Sequence, residues 1–332
     1  MAPLRDLWMI VLAGGEGERL RPLVRALHGD DRPKQFSRPS GRETLLGRTL
    51  GRMAPLVPPE RTIVVTQRDQ HGYLPASLRD HGRIRVFAQP ANRGTALAAL
   101  LPANWIACRR TQAQVLIVPS DHEVSDDERL LRHLREVGRR RLGRTILFGA
   151  RATSPEPQYG WIERGAPVGR RTSLYNVRAF VEKPDQPRAD DCYARGDLWN
   201  TLLLLSPAAR LVDEIVTAVP TLGELLRQDR RRSTDDPWIE RWYSELPTVD
   251  LSHHVLEATV DDLLVSRLPE VGWTDLGTVP RVLEWMRRRE DRQATELDRL
   301  EAVAHAIPRV ATARSPHESA ESDRREGALT SG

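Results

Sequence analysis

The sequence predicts an α/β fold in which crossover helices connect the strands of a parallel sheet. Apolar segments of strand length recur along the first 150 residues, and helical segments separate them. This alternation is typical of parallel strands that are joined by crossover helices. With 332 residues, the chain is long enough to bury a substantial core. The predicted strands of this part are residues 9–13, 62–66, 84–88, 115–119 and 145–150, and the predicted helices are residues 43–53, 69–81, 95–109 and 127–141.

The part of the chain after about residue 150 has a different rhythm, with shorter strands, helices and many prolines. We expect one domain over residues 1–278, with halves at about 1–150 and 151–278, and then a helix over residues 279–307. The last residues, 308–332, are polar, small and charged, which predicts disorder. The shorter strands are residues 161–163, 175–182, 198–205 and 263–268.

Composition excludes several classes of protein. Cys108 and Cys192 lie far apart with no CxxC spacing, which argues against a disulfide framework or a zinc site and favours a reducing cytoplasm. The apolar run 8–13 is too short to span a membrane. The net charge is only +4, and the arginine runs 139–141 and 230–232 are not interleaved with aromatic residues, so we expect no nucleic-acid partner. No hexapeptide repeat predicts a C-terminal β-helix.

Lysine is scarce in this chain. Of the 50 basic residues only Lys34 and Lys183 are lysine, and each lies in a short motif, Arg-Pro-Lys-Gln-Phe or Glu-Lys-Pro. A compact ammonium converges on one phosphate oxygen where the planar guanidinium of arginine is too bulky. Chance survival in an arginine-biased composition is the alternative. We therefore expect two crowded phosphate sites.

A glycine-rich turn follows the first predicted strand. Residues 14–19 read Gly-Gly-Glu-Gly-Glu-Arg. Glycines let backbone N–H groups approach an anion closely, and a helix start beyond them adds its positive dipole end. The spacing is not that of the dinucleotide GxGxxG, because Leu20 stands three residues after Gly17, and no Gly-Lys-Ser/Thr completes a Walker loop. The turn predicts a phosphate-binding loop of a third kind.

This loop together with Pro33-Lys34-Gln35-Phe36 resembles the signature of the sugar-phosphate nucleotidyltransferases, and most of all that of the mannose-1-phosphate guanylyltransferases. The resemblance implies a three-layer, Rossmann-like (GT-A-like) α/β fold, in which a mixed, mostly parallel sheet carries helices on both faces. It also implies a nucleotide-binding half over about 1–150 and a sugar-phosphate-binding half over about 151–278. Further motifs similar to the family's follow in the same order, at residues 89–96, 118–122, 159–163, 182–184, 199–201 and 272–277.

The resemblance also implies a reaction. An oxygen of a sugar 1-phosphate attacks the α-phosphorus of a nucleoside triphosphate in line, and pyrophosphate leaves. Since the nucleophile is already anionic, catalysis needs positioning and charge neutralisation rather than a general base. The implied substrates are GTP and mannose 1-phosphate, the implied cofactor is Mg²⁺, and a homodimer is one possible assembly. Glucose 1-phosphate with UTP or dTTP, and a non-catalytic sensor of nucleotide sugars, are the alternatives.

Matching the motifs position by position implies a role for each candidate residue. Arg19 would hold the leaving pyrophosphate, Lys34 would bridge the α-phosphate and Lys183 would neutralise the sugar phosphate. The implied metal ligands are Asp121, just after strand 115–119, and Asp275. The implied nucleotide-binding residues are Leu12, Ala13, Gly14, Gly15, Gly17, Gln89, Asn92, Gly94 and Thr95. The implied sugar-binding residues are Tyr159, Gly160, Glu163, Glu182, Asn200 and Asp250.

Plainer interpretations of some candidates stay open. Arg19 is alternatively a surface arginine, Glu182 a member of a surface ion pair, and Asp121 or Thr95 a helix cap. His122 is expected to pack or to support its neighbours rather than to bind metal. The chain also departs from the family pattern, because Leu202 stands where a glycine usually follows Trp-Asn-Ser, and because neither the sequence around Asp250 nor that after Gly277 has the usual residues.

Overall fold

Nine strands of the computed structural model form one mixed sheet. The structure describes residues 4–39, 41, 43–75, 78, 83–169, 173–228, 243 and 245–288. The strands are β1 (Leu7–Leu12), β2 (Thr62–Gln67), β3 (Arg85–Gln89), β4 (Gln114–Pro119), β5 (Ile146–Arg151), β6 (Trp161–Pro167), β7 (Leu174–Val181), β8 (Leu198–Pro207) and β9 (Leu264–Arg267). Their order in the sheet is β3-β2-β1-β4-β8-β5-β9-β7-β6.

Strand direction confirms the expected mixed, mostly parallel sheet. β1 pairs in parallel with β2 and β4, and β2 with β3. Beyond β4 the pairings are antiparallel except for that of β5 with β9, so that among the described strands only β7 and β8 run against the others. The predicted division near residue 150 therefore falls inside one continuous sheet.

Helices cover both faces of the sheet. They are α1 (Arg21–His28), α2 (Leu45–Met53), α3 (Gly94–Ala107), α4 (Asp127–Arg139), α5 (Gln186–Arg195), α6 (Ala208–Ala218), α7 (Pro220–Gln228) and α8 (Val279–Arg287). A six-residue π-helical segment, Leu251–Leu256, is also present. All nine predicted strands are confirmed, with ends displaced by a few residues.

One predicted helix, over residues 69–81, is wrong in its first half. Residues Arg68–Tyr73 form 3₁₀ turns, since Gly72 and Pro75 are poor members of an α-helix interior. Residues 76–77 and 79–82 lie outside the described part of the chain. The predicted helix at residues 279–307 is described only to Arg287, and the predicted disordered tail at residues 308–332 lies outside the described residues, as does the arginine run 230–232.

The alternation of side chains along β1 explains the three layers. Met9 packs on one face of the sheet with Leu46 of α2 and Leu130 of α4, whereas the next residue, Ile10, packs on the other face with Leu97 of α3. Successive side chains of a strand point to opposite faces, so a strand that is apolar throughout needs helices on both sides. The described chain contains no helix that is long and apolar enough to cross a membrane.

The C-terminal helix α8 lies beside the helix that follows the glycine-rich turn. Leu283 and Met286 of α8 pack in one buried cluster with Leu23 and Val24 of α1 and with Leu276. This contact brings residues that are more than 250 positions apart in the sequence to the same end of the sheet, next to the glycine-rich turn.

Candidate active site

Three glutamine side chains hold the glycine-rich turn. The Gln35 amide donates to the carbonyl oxygens of Ala13 and Gly15 at 2.8 and 2.9 Å, and the Gln67 amide donates to that of Gly14. The Gln70 amide lies 3.4 Å from the carbonyl oxygens of Gly14 and Gly15. The carbonyl oxygens of the turn are thus occupied by the protein. Gln67 and Gln70 were not found from the sequence, because a glutamine after a strand carries no distinctive signal.

The backbone N–H groups of the turn are used differently. The Ala13 N–H, expected to face phosphate, instead donates to the Val65 carbonyl at 2.7 Å and so extends the sheet. Among the described residues, the N–H groups of Gly14, Gly15 and Gly17 have no hydrogen-bond partner. A row of such free donors is the form of a backbone anion site.

Gly17 permits a close approach between this turn and Lys34. Its φ is 65°, and a Cβ at this position would lie 2.8 Å from the Cβ of Lys34. Lys34 begins the 3₁₀ turn Lys34–Phe36 and is only 6% exposed. The glycine therefore lets the turn that carries Lys34 lie directly against the glycine-rich turn.

Lys34 joins two carboxylate-bearing turns. Its Nζ lies 3.1 Å from Oδ2 of Asp121, the residue that follows β4 by two positions, and it also donates to the backbone carbonyl oxygen of Asp275. A buried ammonium is costly unless it is paired and hydrogen-bonded, and here it is both. The structure thus brings together three residues that the sequence assigned to one site.

A backbone bridge fixes the two turns relative to each other. The N–H groups of Glu123 and Thr274 each donate to the other's carbonyl oxygen, at 2.8 and 2.9 Å. The Glu123 side chain is fully buried and binds Arg48 at 2.6 Å and Arg52 at 2.9 Å, both from α2. Glu123 is a positioning residue that the sequence analysis missed, although it directly follows the Asp121 motif.

Asp275 is held by one of its two carboxylate oxygens. Oδ1 accepts from the Tyr159 hydroxyl at 2.7 Å, from the Gly277 N–H at 2.9 Å and from Arg281 Nη1 at 2.9 Å. Burial raises the pKa of Asp275, but His122, Arg281 and further donors lower it more, so that its pKa lies below the ordinary value. The carboxylate is therefore ionised. Burial and the Asp275 charge raise the pKa of Tyr159, which stays protonated as a donor.

Asp121 and Asp275 suit a hard divalent cation. Both are carboxylates, both turns meet at Lys34, and Asp121 is 30% exposed. Among the described residues, no group of three His, Cys, Asp or Glu forms a metal cage. Mg²⁺ needs no such cage, because it is usually bound by one or two carboxylates together with water and substrate phosphates. The residues present thus fit the cation that the resemblance implies.

Aromatic rings close the interior side of this centre. Trp273 lies between His122 and Tyr159, with ring centroids 5.4 Å from each. Burial lowers the pKa of His122, and its Nδ1 is buried without a described partner, as are the ring nitrogens of Trp199 and Trp273. The neutral His122 packs on a tryptophan and acts as a supporting residue, as the sequence analysis expected.

The second half contributes a cluster of predicted sugar-binding residues. The Asn200 N–H donates to the Gly160 carbonyl at 2.7 Å, and a Cβ on Gly160 would lie 2.5 Å from Oε2 of Glu182. Lys183 Nζ lies 3.0 Å from Glu182 Oε1 and is 58% exposed. Burial raises the pKa of Glu182. The Lys183 N–H donates to the Tyr159 carbonyl at 3.2 Å, so Tyr159 links this cluster to Asp275.

Asp250 and Thr95 contact each other. The Thr95 hydroxyl donates to Asp250 Oδ2 at 3.1 Å, while Asp250 Oδ1 caps the π-helical segment by accepting from the His253 N–H at 3.0 Å. Asp250 also lies close enough to Glu182 to raise its pKa, after the larger effect of burial. A residue predicted for the nucleotide and one predicted for the sugar therefore stand side by side, and Asp250 has a capping role as well.

Other predicted residues are spread around the turn. Gln89 Nε2 donates to the Tyr243 hydroxyl at 2.9 Å, and Asn92 Nδ2 lies 3.4 Å from a Glu16 carboxylate oxygen. Arg19 donates to the side chain of Gln158, the residue before Tyr159. Arg19 thus reaches across to the second half, whereas the Gln89 amide is already occupied within the protein.

Glu163 is not joined to the rest of the site. It lies on β6 and forms ion pairs with Arg178 at 3.4 Å and Arg195 at 3.9 Å. Among the described residues, no hydrogen bond or ion pair connects it to Glu182, Asn200 or another predicted sugar ligand. The structure places this residue with a separate group of surface charges.

Comparisons with known proteins agree with this arrangement. The profile of the family described as nucleotidyl transferase matches residues 8–292. A mannose-1-phosphate guanylyltransferase of Escherichia coli is 29% identical over 289 residues, which are 82% of this chain and 58% of that protein. The alginate biosynthesis protein AlgA of Pseudomonas fluorescens is 30% identical over 277 residues, 81% of this chain and 56% of that protein.

A solved structure from Thermus thermophilus, described as a mannose-1-phosphate geranyltransferase, is also similar. It superposes with a TM-score of 0.70 and 32% identity, over 86% of this chain and 80% of that chain. The curated relatives are longer proteins, since the chain spans 60% of one and 52% of another.

Proposed function

The chain belongs to the nucleotidyl transferase family. We propose that it transfers a guanylyl group from GTP to mannose 1-phosphate, giving GDP-mannose and pyrophosphate. One observation carries the proposal. A buried lysine, Lys34, packs on a glycine loop with free N–H groups and joins the turns of two carboxylates. Relatives named mannose-1-phosphate guanylyltransferase support the choice of substrates.

The proposed reaction needs no general base. A phosphate oxygen of mannose 1-phosphate forms a bond to the α-phosphorus of GTP while the bond from that phosphorus to the bridging oxygen of pyrophosphate breaks. Titratable groups at the centre fit this demand, because burial lowers the pKa of His122 and so makes its packed ring a weak base, and because Tyr159 is held protonated against Asp275. Neither is poised to remove a proton.

Charge neutralisation falls to the protein's cations and backbone donors. The N–H groups of Gly14, Gly15 and Gly17 would cradle the triphosphate, and Lys34 would stabilise the charge that develops around the α-phosphorus. Arg19 would hold the departing pyrophosphate. Mg²⁺, held by Asp121 and Asp275, would supply further neutralisation of the phosphates. Holding both anions in line would add to this electrostatic stabilisation.

The second half would present the sugar phosphate. Lys183 is an exposed cation beside Glu182, and its backbone N–H donates to the Tyr159 carbonyl; the Tyr159 hydroxyl in turn donates to Asp275. The buried carboxyl group of Glu182 lies beside Gly160 and would accept hydrogen bonds from sugar hydroxyls. A side chain at Gly160 would fill this space.

A matrix of nucleoside triphosphates against sugar 1-phosphates tests the proposal. The purified chain is given GTP, UTP or dTTP with mannose or glucose 1-phosphate, and pyrophosphate release is measured with Mg²⁺ and with excess chelator. We expect release with GTP and mannose 1-phosphate that stops in chelator. Absence of release from that pair would refute the proposal, and release from another pair would reassign the substrates.

A second candidate keeps the reaction but changes the sugar. Leu202 follows Asn200 at the bulge of β8, has a left-handed φ of 56° and is partly buried. A bulky residue beside the proposed sugar cluster favours a sugar 1-phosphate other than mannose. The same matrix decides between the two, and binding of GDP-mannose without turnover of any pair would favour a sensor.

A further inference from the structure

Arg281 is the cation in direct contact with the Asp275 carboxylate. It lies on α8 and is 19% exposed in its side chain. Nη1 lies 2.9 Å from Asp275 Oδ1, Nη2 donates to Glu156, and the guanidinium carbon is 4.5 Å from the centre of the Tyr159 ring. Ion pairing and a cation–π contact hold this arginine in one place.

The position of Arg281 opposes a second cation at Asp275. In the proposed function a divalent ion is held by that carboxylate, and two positive charges that share one carboxylate repel each other. The contact is on Oδ1 only, where two neutral donors, Tyr159 and Gly277, also bind. Among the described residues, Oδ2 accepts no hydrogen bond, so the repulsion acts by charge rather than by blocking every lone pair.

Glu156 gives Arg281 a second partner. The two carboxylates bind different nitrogens of the guanidinium, so that the arginine keeps Glu156 if it yields Asp275. Glu156 also accepts from the backbone N–H of Gln158 at 3.1 Å, and the Gln158 side chain accepts from Arg19. The same short segment therefore touches the arginine at Asp275 and the arginine expected at the leaving phosphates.

We propose that Arg281 is the resident counter-ion of Asp275 in the nucleotide-free protein and yields that carboxylate to the divalent ion when the nucleotide binds. The inference rests on the proposed function. Arg281 is then a positioning residue. It weakens binding of the divalent ion to the nucleotide-free protein, so that the ion binds tightly only together with the triphosphate. By thermodynamic reciprocity, the nucleotide then tightens metal binding by the factor by which the metal tightens nucleotide binding.

Mn²⁺ binding to the nucleotide-free chain tests the inference without measuring turnover. Free Mn²⁺ is followed by its electron paramagnetic resonance signal during titration of wild-type protein and of Arg281→Gln. We expect Arg281→Gln to bind Mn²⁺ about tenfold more tightly, since a charge in direct contact with the carboxylate is removed. GTP itself binds Mn²⁺, so each titration with GTP is compared with a titration of GTP and Mn²⁺ without protein. Above that baseline, added GTP should tighten Mn²⁺ binding in wild-type protein and do so much less in the variant.

A second variant separates direct contact from net charge and guards against misfolding. Arg281→Gln combined with Glu156→Gln leaves the local net charge as in wild-type protein. It also leaves no unpaired Glu156 carboxylate close to Asp275. We expect it to bind Mn²⁺ several-fold more tightly than wild type. Arg288→Gln is the matched control, because Arg288 lies at the end of the same helix, is 72% exposed and pairs with Glu284; it should bind as wild type does.

The outcomes separate this inference from the proposed function. Suppose that wild-type protein binds Mn²⁺ and that Asp275→Asn abolishes this binding. If both Arg281 variants then bind Mn²⁺ no more tightly than wild type, the role of Arg281 is overturned and the metal site is not. If no protein binds Mn²⁺ without GTP, and none binds more Mn²⁺ with GTP than GTP alone does, the proposed metal site is overturned and this inference with it.

Discussion

The two halves of the sheet place residues in left-handed backbone positions in different ways. In the first half the site uses glycines, Gly17 with φ 65° and Gly94 with φ 80°. In the second half it uses one glycine, Gly272 with φ 62°, and also three residues with side chains, Lys183 with φ 45°, Leu202 with φ 56° and Leu276 with φ 48°. Non-glycine residues seldom adopt this conformation, because Cβ crowds the following carbonyl oxygen.

What surrounds each position explains the difference. A Cβ on Gly94 would lie 2.2 Å from the Val249 carbonyl oxygen, and one on Gly17 would lie 2.9 Å from the Lys34 backbone nitrogen. In the first half, backbone meets backbone and only glycine fits. In the second half the side chains extend into solvent, as for Lys183, or into the core, as for Leu276. Strain at a functional site is tolerated where the side chain is of use.

The largest expected effect is that of Gly94→Ala. Because the clash is with a backbone carbonyl oxygen, it cannot be relieved by a side-chain rotation, and we expect a loss of roughly 3–5 kcal/mol in the free energy of unfolding, from left-handed strain and overpacking together. Urea denaturation followed by circular dichroism measures it.

Gly29→Ala is the matched control for that clash. Gly29 also has a left-handed φ, of 76°, but a Cβ there would meet no atom within 4 Å. We expect a cost of about 1 kcal/mol from backbone strain alone. If the two substitutions cost the same, close backbone contact is not what distinguishes the first half.

Lys34→Arg should give the next largest effect, on activity. Lys34 is 6% exposed and is already in contact with Asp121 and the Asp275 backbone, so a guanidinium does not fit without displacing them. We expect kcat to fall about 100-fold, the usual size for loss of one well-placed charge-stabilising donor. The fold should be retained at a cost of roughly 1–3 kcal/mol in the free energy of unfolding, because the larger side chain overpacks a buried position.

Lys183→Arg provides the comparison from the other half. Its ammonium is 58% exposed, which leaves room for a larger cation, and we expect the rate to fall less than about tenfold. A near-normal rate for Lys34→Arg, or equal losses for both variants, would remove the argument that crowding at Lys34 selects a compact ammonium.

Sequence alone indicated more of the first half than of the second. Lys34 and Asp121 follow recognisable strand and loop patterns, and these two residues are in contact as a shared site requires. Glu123, Glu156 and Arg281 were missed, because each acts through partners far away in the sequence. Arg281 meets Asp275 only after α8 packs on α1, and no local pattern distinguishes it from the chain's many other arginines.

The predicted role of Glu163 in sugar binding has no support from its contacts and stays a prediction. Glu163 follows Tyr-Gly-Trp-Ile in the expected order, yet its described ion pairs are with Arg178 and Arg195, away from Glu182 and Asn200. The pairing of β6 with β7 is regular up to Glu163 and shifts only after it, so a bulge does not account for this placement. The two arginines that pair with Glu163 come from β7 and α5, and a linear motif does not record such partners.

The smallest expected effect is that of Leu202→Gly. Relief of left-handed strain, roughly 1–2 kcal/mol, is offset by the backbone entropy of glycine, roughly 0.5–1 kcal/mol, and by loss of a partly buried side chain. We expect the free energy of unfolding to stay within about 1 kcal/mol of wild type.

Leu276→Gly has the same backbone relief, but Leu276 is fully buried between α1 and α8, and its loss should cost roughly 2–4 kcal/mol. Equal costs in urea denaturation would mean that Leu202 is a packing residue, and that the second half keeps its strained positions for core contacts alone rather than for the cleft.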